Sequence, residues 1–203
     1  MDIQVLLLTI VSTTLVYSAP LIFTSIGGVF SEHSGIVNVG LEGMMVMGAF
    51  ASVVFNLKMG DTFGAATPWL GLLVGGLVGA AFSLIHAVAT INLRTDHIIS
   101  GTVLNLMAPA LAVYLTRLIF QGRGQTDILQ HPLATATIPG LSSIPVIGPI
   151  FFAKTSLAAY LGIIVSIIAW WILSKTRFGL RLRSVGEHPE AADSVGISVY
   201  AYR

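Results

Sequence analysis

The segment Ser31-Glu-His-Ser-Gly-Ile-Val-Asn-Val-Gly-Leu-Glu-Gly-Met-Met45 sets an amide, Asn38, and a carboxylate, Glu42, four residues apart. From Gly35 to Phe55 the chain is otherwise without charge. A carboxylate in an apolar run of membrane-spanning length is costly, so it normally faces protein or water and marks a working part. At helical spacing the two side chains project from one face. We therefore expect Asn38 and Glu42 to be functional residues.

Three interpretations of Glu42 are open. The carboxylate is paired inside the bundle, or protonated because burial disfavours its charge, or exposed to a substrate path. Four nearby glycines leave room for another backbone and also permit an irregular helix, which a membrane tolerates only beside protein or water; they are Gly35, Gly40, Gly43 and Gly48.

Composition places the chain in the membrane class. Of its 203 residues, 55% are hydrophobic and 9% are charged, and the mean hydropathy is +0.88. Soluble domains carry roughly 25% charged residues. The net charge of +1 gives no reason to expect nucleic acid, and the absence of cysteine excludes disulfides and thiolate metal sites. No cluster of histidines supports a metal site either, so no metal is predicted.

Five stretches are apolar enough, or nearly so, to cross a bilayer as helices, which takes about 20 residues each. The prediction is an all-α, polytopic membrane bundle in which the first span is retained and is not a cleaved signal peptide. The predicted spans are Val5–Phe30, Gly35–Phe55, Pro68–Ile91, Ile98–Phe120 and Leu157–Leu173.

Basic residues near the span ends predict the orientation. Lys175, Arg177, Arg181 and Arg183 follow the fifth span, so that end is expected in the cytoplasm and the amino terminus outside. The turns Ser31–Ser34 and Leu93–His97 would then also be cytoplasmic.

Small residues recur every four positions in the third span, at Gly71, Gly75, Gly79 and Ser83. Such a ridge allows close helix packing in lipid, and we expect packing within the chain in preference to a dimer contact.

Other polar residues have plain interpretations. His86 is expected to be a hydrogen-bonded core histidine, and Arg94, Asp96 and His97 to be solvated or capping residues of a tight turn. The long connection Gln121–Thr155 holds several prolines and is either a spacer or an outer surface for a soluble partner. Its Ile144–Phe152 part is apolar enough to lie at the membrane interface.

Two short stretches echo each other. Ser34–Asn38 begins Ser-Gly and ends in Asn, as does Ser100–Asn105. An internal repeat, a common feature of transporters, would place Asn105 beside the same path as Asn38; a chance match is the alternative.

The tail predicts a short helix from Pro189 to Gly196. Proline suits its first turn, Glu190 complements its positive end, and Gly196 can stop it. Ala191, Ala192 and Val195 would form one small apolar face, which either seats in the groove of another protein or merely connects two spans. The chain lacks the Gly-x-x-x-x-Gly-Lys-Ser/Thr phosphate loop, so it cannot bind ATP by that means.

Three ordered motifs carry a resemblance to a known family. They are the Ser31–Met45 segment, the turn Leu93-Arg-Thr-Asp-His-Ile-Ile-Ser-Gly-Thr-Val-Leu-Asn-Leu-Met107, and the tail Arg177-Phe-Gly-Leu-Arg-Leu-Arg-Ser-Val-Gly-Glu-His-Pro-Glu-Ala-Ala-Asp-Ser-Val-Gly-Ile197. Together they resemble the permease subunit of a bacterial binding-protein-dependent ABC importer, in the nucleoside and simple-sugar branch. The resemblance implies that Glu190, Ala191, Ala192 and Gly196 contact the ATPase. Asn38, Glu42 and Asn105 would lie beside the translocation path.

The same resemblance implies the function and the partners. The chain would be a multi-pass protein of the cytoplasmic membrane, moving a nucleoside or, second, a simple sugar, without chemistry of its own. It would bind no cofactor, since ATP and Mg belong to the partner ATPase. Other implied partners are a second permease and an extracytoplasmic lipoprotein or periplasmic receptor. Residues 1–203 would form one permease domain with a coupling segment at 175–203, in a chain shorter than family members. Rival functions are a secondary transporter and a membrane-embedded enzyme using Glu42, Asp96 or His97.

Overall fold

The computed structural model describes residues 3–129, 131–133, 135–136, 151 and 155–203, and this part of the chain is almost entirely helical. The long helices are α1 (Ile3–His33), α2 (Leu41–Phe63), α3 (Thr67–Ala87), α4 (His97–Ile119) and α5 (Leu157–Lys175). Three short helices follow, α6 (Arg177–Glu187), α7 (Pro189–Ser194) and α8 (Val199–Tyr202). The described part of the chain also contains one antiparallel pair of two-residue strands, β1 (Thr135–Ala136) and β2 (Thr155–Ser156). The all-α prediction is confirmed.

Among the described residues, four stretches are long and apolar enough to cross a membrane. The second, Leu41–Asn92, has 52 residues and contains both α2 and α3, joined by a single tight turn at Gly64–Ala66. These stretches therefore correspond to the five predicted spans. Two of them continue through an internal proline, Pro20 in α1 and Pro109 in α4.

The second span differs from its predicted bounds at both ends, because α2 begins at Leu41 and ends at Phe63. Residues 34–40 are not helical. Gly35 has a φ of +84°, a left-handed conformation that ends α1, and its amide donates to the carbonyl of Glu32 at 3.0 Å. Glycine adopts this conformation without the steric cost that a side chain brings. The irregular helix that the glycines permit is therefore present.

The chain divides into two compact units. One comprises residues 1–26 and 133–171, and in it Gly162 of α5 packs against Ile22 and Phe23 of α1. The other comprises residues 27–132 and 172–203 and contains α2, α3, α4 and the short helices of the tail. Every residue of the candidate functional site lies in this second unit.

Within the second unit, α2 and α3 form an antiparallel hairpin held by the predicted small-residue ridge. A Cβ built on Gly75 would lie 2.7 Å from the carbonyl oxygen of Gly48, and one on Gly71 would lie 3.3 Å from that of Ser52. Farther along, a Cβ on Gly79 would lie 3.5 Å from the carbonyl oxygen of Met44, an ordinary contact. The backbones approach most closely at Gly75, where no space is left for a side chain. The ridge faces α2 of the same chain.

The predicted loop Gln121–Thr155 is described only in part, and Ile144–Phe152 lies outside the described residues apart from Phe151. Where the loop leaves α4 it returns to α2, since the amide nitrogen of Asn56 donates to the carbonyl of His131 at 2.8 Å. Arg123 and Asp127 form an exposed ion pair of 3.0 Å in this part of the loop.

Candidate functional site

The break between α1 and α2 is stabilised by its own side chains. Ser31 Oγ donates to the carbonyl of Ile36 at 2.7 Å, and Asn38 Oδ1 accepts the amide of Gly40 at 3.0 Å. Asn side chains commonly close such turns by binding the backbone two residues on. Irregular backbone inside a membrane must have its polar groups satisfied by protein or water. Residues 34–40, here called the break segment, meet part of this requirement locally.

Asn105, on α4, meets another part of it. Its Oδ1 accepts the amide of Gly43 at 2.8 Å, and its Nδ2 donates to the carbonyl of Val39 at 2.9 Å. The residue that caps α2, Gly40, has no side chain to accept the amides of the first helical turn, so Asn105 supplies that acceptor from another helix. One amide side chain thus connects α4 to both the break segment and the start of α2.

Glycines allow α4 to come this close. A Cβ on Gly101 would lie 2.7 Å from the backbone nitrogen of Gly40, and one on Gly43 would lie 2.6 Å from the carbonyl oxygen of Leu104. Atoms at such distances overlap, and each neighbour is backbone, which cannot rotate away as the end of a side chain can. The three glycines therefore fix how α4 crosses the break segment.

The expectation that Asn38 and Glu42 share a helical face is wrong. Asn38 precedes α2 and lies in the break segment, whereas Glu42 is in the first turn of α2 and is exposed. The positive end of the helix dipole favours a carboxylate at that position. The error arose because the hydropathy of the segment is continuous although its backbone is not.

The echo between Ser34–Asn38 and Ser100–Asn105 does not correspond to a repeated local structure. The first stretch is the irregular break, and the second is helical from end to end. The second stretch lies against the residues that directly follow the first, because Asn105 and Gly101 contact Val39 and Gly40.

The turn between α3 and α4 is a capping turn. Asp96 Oδ1 accepts the amides of Ile98 at 2.8 Å and Ile99 at 3.0 Å, which is the side-chain cap expected at a helix start. Arg94, with a φ of +55°, makes the tight bend before it. The capping interpretation of Asp96 is confirmed.

His86 is a buried core residue, with 2% of its surface exposed. Its Nδ1 lies 3.0 Å from Ser100 Oγ, which joins α3 to α4. The prediction of a hydrogen-bonded core histidine is confirmed for this nitrogen.

Sequence reasoning missed α6. Its buried residues, Gly179, Leu182 and Val185, lie three apart and so form one face, while Thr176 Oγ1 caps the helix by accepting the Gly179 amide at 3.3 Å. The signal was present as a small or apolar residue at every third position among arginines, the pattern of an amphipathic helix. The density of basic residues was used only to predict orientation.

Two close contacts attach α6 to the long helices. A Cβ on Gly179 would collide with the carbonyl of Leu173 in α5, and one on Gly186 would collide with that of His33 in α1. Arg183 donates from Nη2 to the same Leu173 carbonyl, which satisfies an acceptor that the end of a helix leaves free.

The predicted tail helix is present as α7, six residues from Pro189 to Ser194. Gly196, with a φ of +82°, ends it, and the amide of Ile197 donates to the carbonyl of Ala192 at 3.0 Å. The predicted outward face is wrong in one member, because Ala192 is buried. Glu190, Ala191 and Gly196 are exposed.

The tail, the break segment and the α3–α4 turn meet at one end of the second unit. Gly186 packs against Gly35, and Arg94 Nη2 lies 3.5 Å from Tyr200 Oη. Farther along the tail, Arg181 Nη1 donates to Tyr202 Oη at 3.2 Å, and this hydrogen bond raises the pKa of the exposed Arg181. The three elements predicted to share one side of the membrane are therefore neighbours.

Comparison with known proteins reveals clear relatives. The family model described as branched-chain amino acid transport system / permease component matches residues 10–203. The chain is 64% identical over 194 residues to the nucleoside ABC transporter permease protein NupC of Lactococcus lactis subsp. cremoris, covering 96% of this chain and 61% of that protein. It is 53% identical over 203 residues to the guanosine ABC transporter permease protein NupQ of Bacillus subtilis, covering 100% of this chain and 63% of that protein.

A more distant relative carries a different name. The putative glucose ABC transporter permease protein TsgC13 of Haloferax volcanii is 32% identical over 196 residues, covering 96% of this chain and 56% of that protein. The chain thus spans 61% and 63% of the lengths of the two relatives with higher identity. No solved structure matches it.

Proposed function

We propose that this chain, which belongs to the family of permease components of branched-chain amino acid transport systems, forms part of the membrane channel of an ABC importer for nucleosides. The protein lies in the cell membrane as a multi-pass bundle. The observation that carries the proposal is the exposed face of α7. This helix directly follows α6 in the chain, and α6 packs against the break segment. That arrangement suits a lever that a separate ATPase moves.

The contacts support a route for the movement. Gly186 in α6 touches Gly35 at the start of the break segment, and Asn105 connects the end of that segment to α4. A displacement of α7 would pass through α6 to the break segment and change how α2 crosses α4. Backbone in contact with backbone transmits displacement with little loss, because no flexible side chain lies between.

The same geometry supports a choice of residues beside the proposed translocation path. Glu42 is exposed at the start of α2, so its carboxylate is available to a path along this face. Asn105 acts as a positioning residue in the proposal, since its amide is engaged with two backbone groups. Asn38 lines a cleft beside the break segment.

The partners are proposals of the same kind. They comprise a cytoplasmic ATPase that carries ATP and Mg, a second permease subunit, and an extracytoplasmic receptor. We assign Glu190, Ala191 and Gly196 to the ATPase contact because they are exposed, and Ala192 to packing because it is buried. The chain itself would catalyse no reaction, in keeping with the names of its relatives, which are permease proteins.

Nucleosides are the first substrate candidate because two relatives of 64% and 53% identity carry nucleoside and guanosine in their names. A simple sugar is the second, supported by the relative of 32% identity named for glucose. A secondary transporter or a membrane-embedded enzyme has less support, since neither requires an exposed α7 attached to the break segment.

The test is capture of the ATPase by the full-length permease in membranes. Ala191→Glu places a charge on the exposed face of α7, and we expect it to abolish capture. Ala201→Glu is the matched control, the same change at an exposed alanine of α8, and should leave capture intact. Equal capture by both variants and the unaltered protein would contradict the coupling role of α7.

A further inference from the structure

A cleft of about 350 Å³ lies beside the break segment, at the end of the second unit that carries α6. Its walls come from the end of α1, the break segment, α2, α3, the turn between α3 and α4, α6, and α8 with Arg203. The apolar wall residues include Phe30, Leu41, Met44, Ile91, Phe178 and Leu182. Small-molecule sites in proteins occupy about 300–1,000 Å³ and combine apolar walls with a few polar groups. The volume suits one small molecule.

His86 provides the first polar group. Its side chain lines the cleft and is 2% exposed, and its ring interacts with the Val37 backbone of the break segment. Nδ1 is bonded to Ser100, but among the described residues no hydrogen bond of ordinary distance and angle reaches Nε2, so the Val37 contact leaves this nitrogen without a full partner. Buried polar atoms are nearly always bonded, so an unbonded one calls for an explanation. Because Ser100 Oγ can either donate or accept, Nε2 can be acceptor or donor in turn.

Asn38 provides the second polar group of the cleft. Its Oδ1 is occupied by the Gly40 amide, whereas its Nδ2 has only the sulfur of Met44 at 3.7 Å. A thioether is a weak acceptor, so this amide retains the capacity to donate. Arg203 adds a positive charge at the rim, and the described lining residues include no carboxylate. The cleft therefore favours a neutral or anionic ligand over a cation.

We propose that this cleft binds the base of a nucleoside. The planar heteroaromatic ring would lie between the apolar walls, and the polar edge of the ring would form hydrogen bonds with His86 Nε2 and Asn38 Nδ2. The inference rests on the proposed function, which puts the cleft at the cytoplasmic end, where imported nucleoside accumulates. Phe178 and Leu182 belong to α6, which precedes α7, so a bound base would contact α6 and restrain it. Occupancy then resists the movement of α7, and the imported product slows its own uptake.

The experiment uses the full-length importer, with its partner subunits, in nanodiscs and in proteoliposomes. Equilibrium binding of radiolabelled guanosine is measured in nanodiscs without ATP or receptor. ATP-driven guanosine uptake is measured with and without guanosine preloaded on the ATPase side. His86→Leu removes the Nε2 contact and should weaken binding about tenfold, the effect of one hydrogen bond of about 1.4 kcal/mol.

A second variant protects the test against misfolding. Ala87→Phe fills the cleft with a ring and should abolish binding and inhibition by preloaded guanosine while uptake continues. Ala81→Phe, the same change at an exposed position of α3, is the control and should behave as the unaltered protein.

The outcomes separate the two proposals. ATP-driven uptake that is insensitive to preloaded guanosine, or guanosine binding that Ala87→Phe leaves unchanged, overturns the cleft proposal and leaves the proposed function standing. Occupation of the cleft by water or lipid alone would give that result. Failure of the unaltered importer to take up guanosine with ATP overturns both.

Discussion

Replacement of Asn105 by leucine tests the hydrogen-bonded contact between α4 and the break segment. Leucine keeps the approximate size of the side chain and removes both hydrogen bonds, to the Gly43 amide at 2.8 Å and the Val39 carbonyl at 2.9 Å. A buried polar group left without a partner costs about 1–3 kcal/mol, which gives about 2–6 kcal/mol for two. Asn105 is only half-buried, and interhelical hydrogen bonds measured in a membrane protein average about 0.6 kcal/mol. We therefore expect a loss of about 1–3 kcal/mol.

The assay is thermal unfolding of the full-length permease in nanodiscs, together with nucleoside-dependent ATP hydrolysis by the assembled importer. Each kcal/mol lowers the midpoint by about 2–4 °C in a protein of 150–250 residues and by less in a longer one. Asn105→Asp keeps an acceptor for Gly43 and should fall between the leucine variant and the unaltered protein. Thr102→Leu, a polar-to-apolar change at an exposed position of α4, is the control. If Asn105→Leu loses no more stability than Thr102→Leu, the hydrogen bonds of Asn105 do not stabilise the contact between α4 and the break segment.

Two further predictions concern adjacent helices. Gly75→Ala should destabilise the α2–α3 hairpin by about 1–3 kcal/mol, since its Cβ would lie 2.7 Å from the Gly48 carbonyl oxygen, whereas Gly76→Ala, which meets nothing within 4 Å, should be neutral or slightly stabilising. Unfolding midpoints measure both, and equal effects would argue against the close approach. Asp96→Ala should cost about 0.5–2 kcal/mol and speed hydrogen exchange at the amides of Ile98 and Ile99, while Asp96→Asn keeps the accepting oxygen and should preserve protection. Exchange unchanged in Asp96→Ala would mean that the cap contributes nothing.

The long helices could be predicted because the membrane requires length and apolarity, and both are visible in sequence. The predicted Ile98–Phe120 and Leu157–Leu173 spans lie within two residues of α4 and α5 at each end. The break segment could not be placed, since Ile36, Val37 and Val39 are as apolar as the helix that follows. Its conformation depends on Gly35 and on contacts with α4.

The sequence predicted which residues belong to the candidate site but not how they are arranged. Asn38, Glu42 and Asn105 were selected as polar residues in apolar surroundings, and all three lie at or beside the break. Their partners are long-range: Asn105 binds residues more than sixty positions away, and no local pattern encodes such a pair. The cleft around His86 was missed for the same reason, because its walls come from elements that are far apart in sequence, from the end of α1 to α8.

The most direct test of the account is the side of the membrane on which α7 lies. Residues 1–203 contain no cysteine, so one cysteine is introduced at Val195, which is 73% exposed, or at Ile128, which is 93% exposed and reports the loop after α4. The permease without an introduced cysteine is the control for labelling elsewhere. We expect a membrane-impermeant maleimide added to intact cells to label Ile128→Cys and to spare Val195→Cys until the cells are opened. Labelling of Val195→Cys in intact cells would put α7 out of reach of any cytoplasmic ATPase, and α7 could then not be the coupling helix.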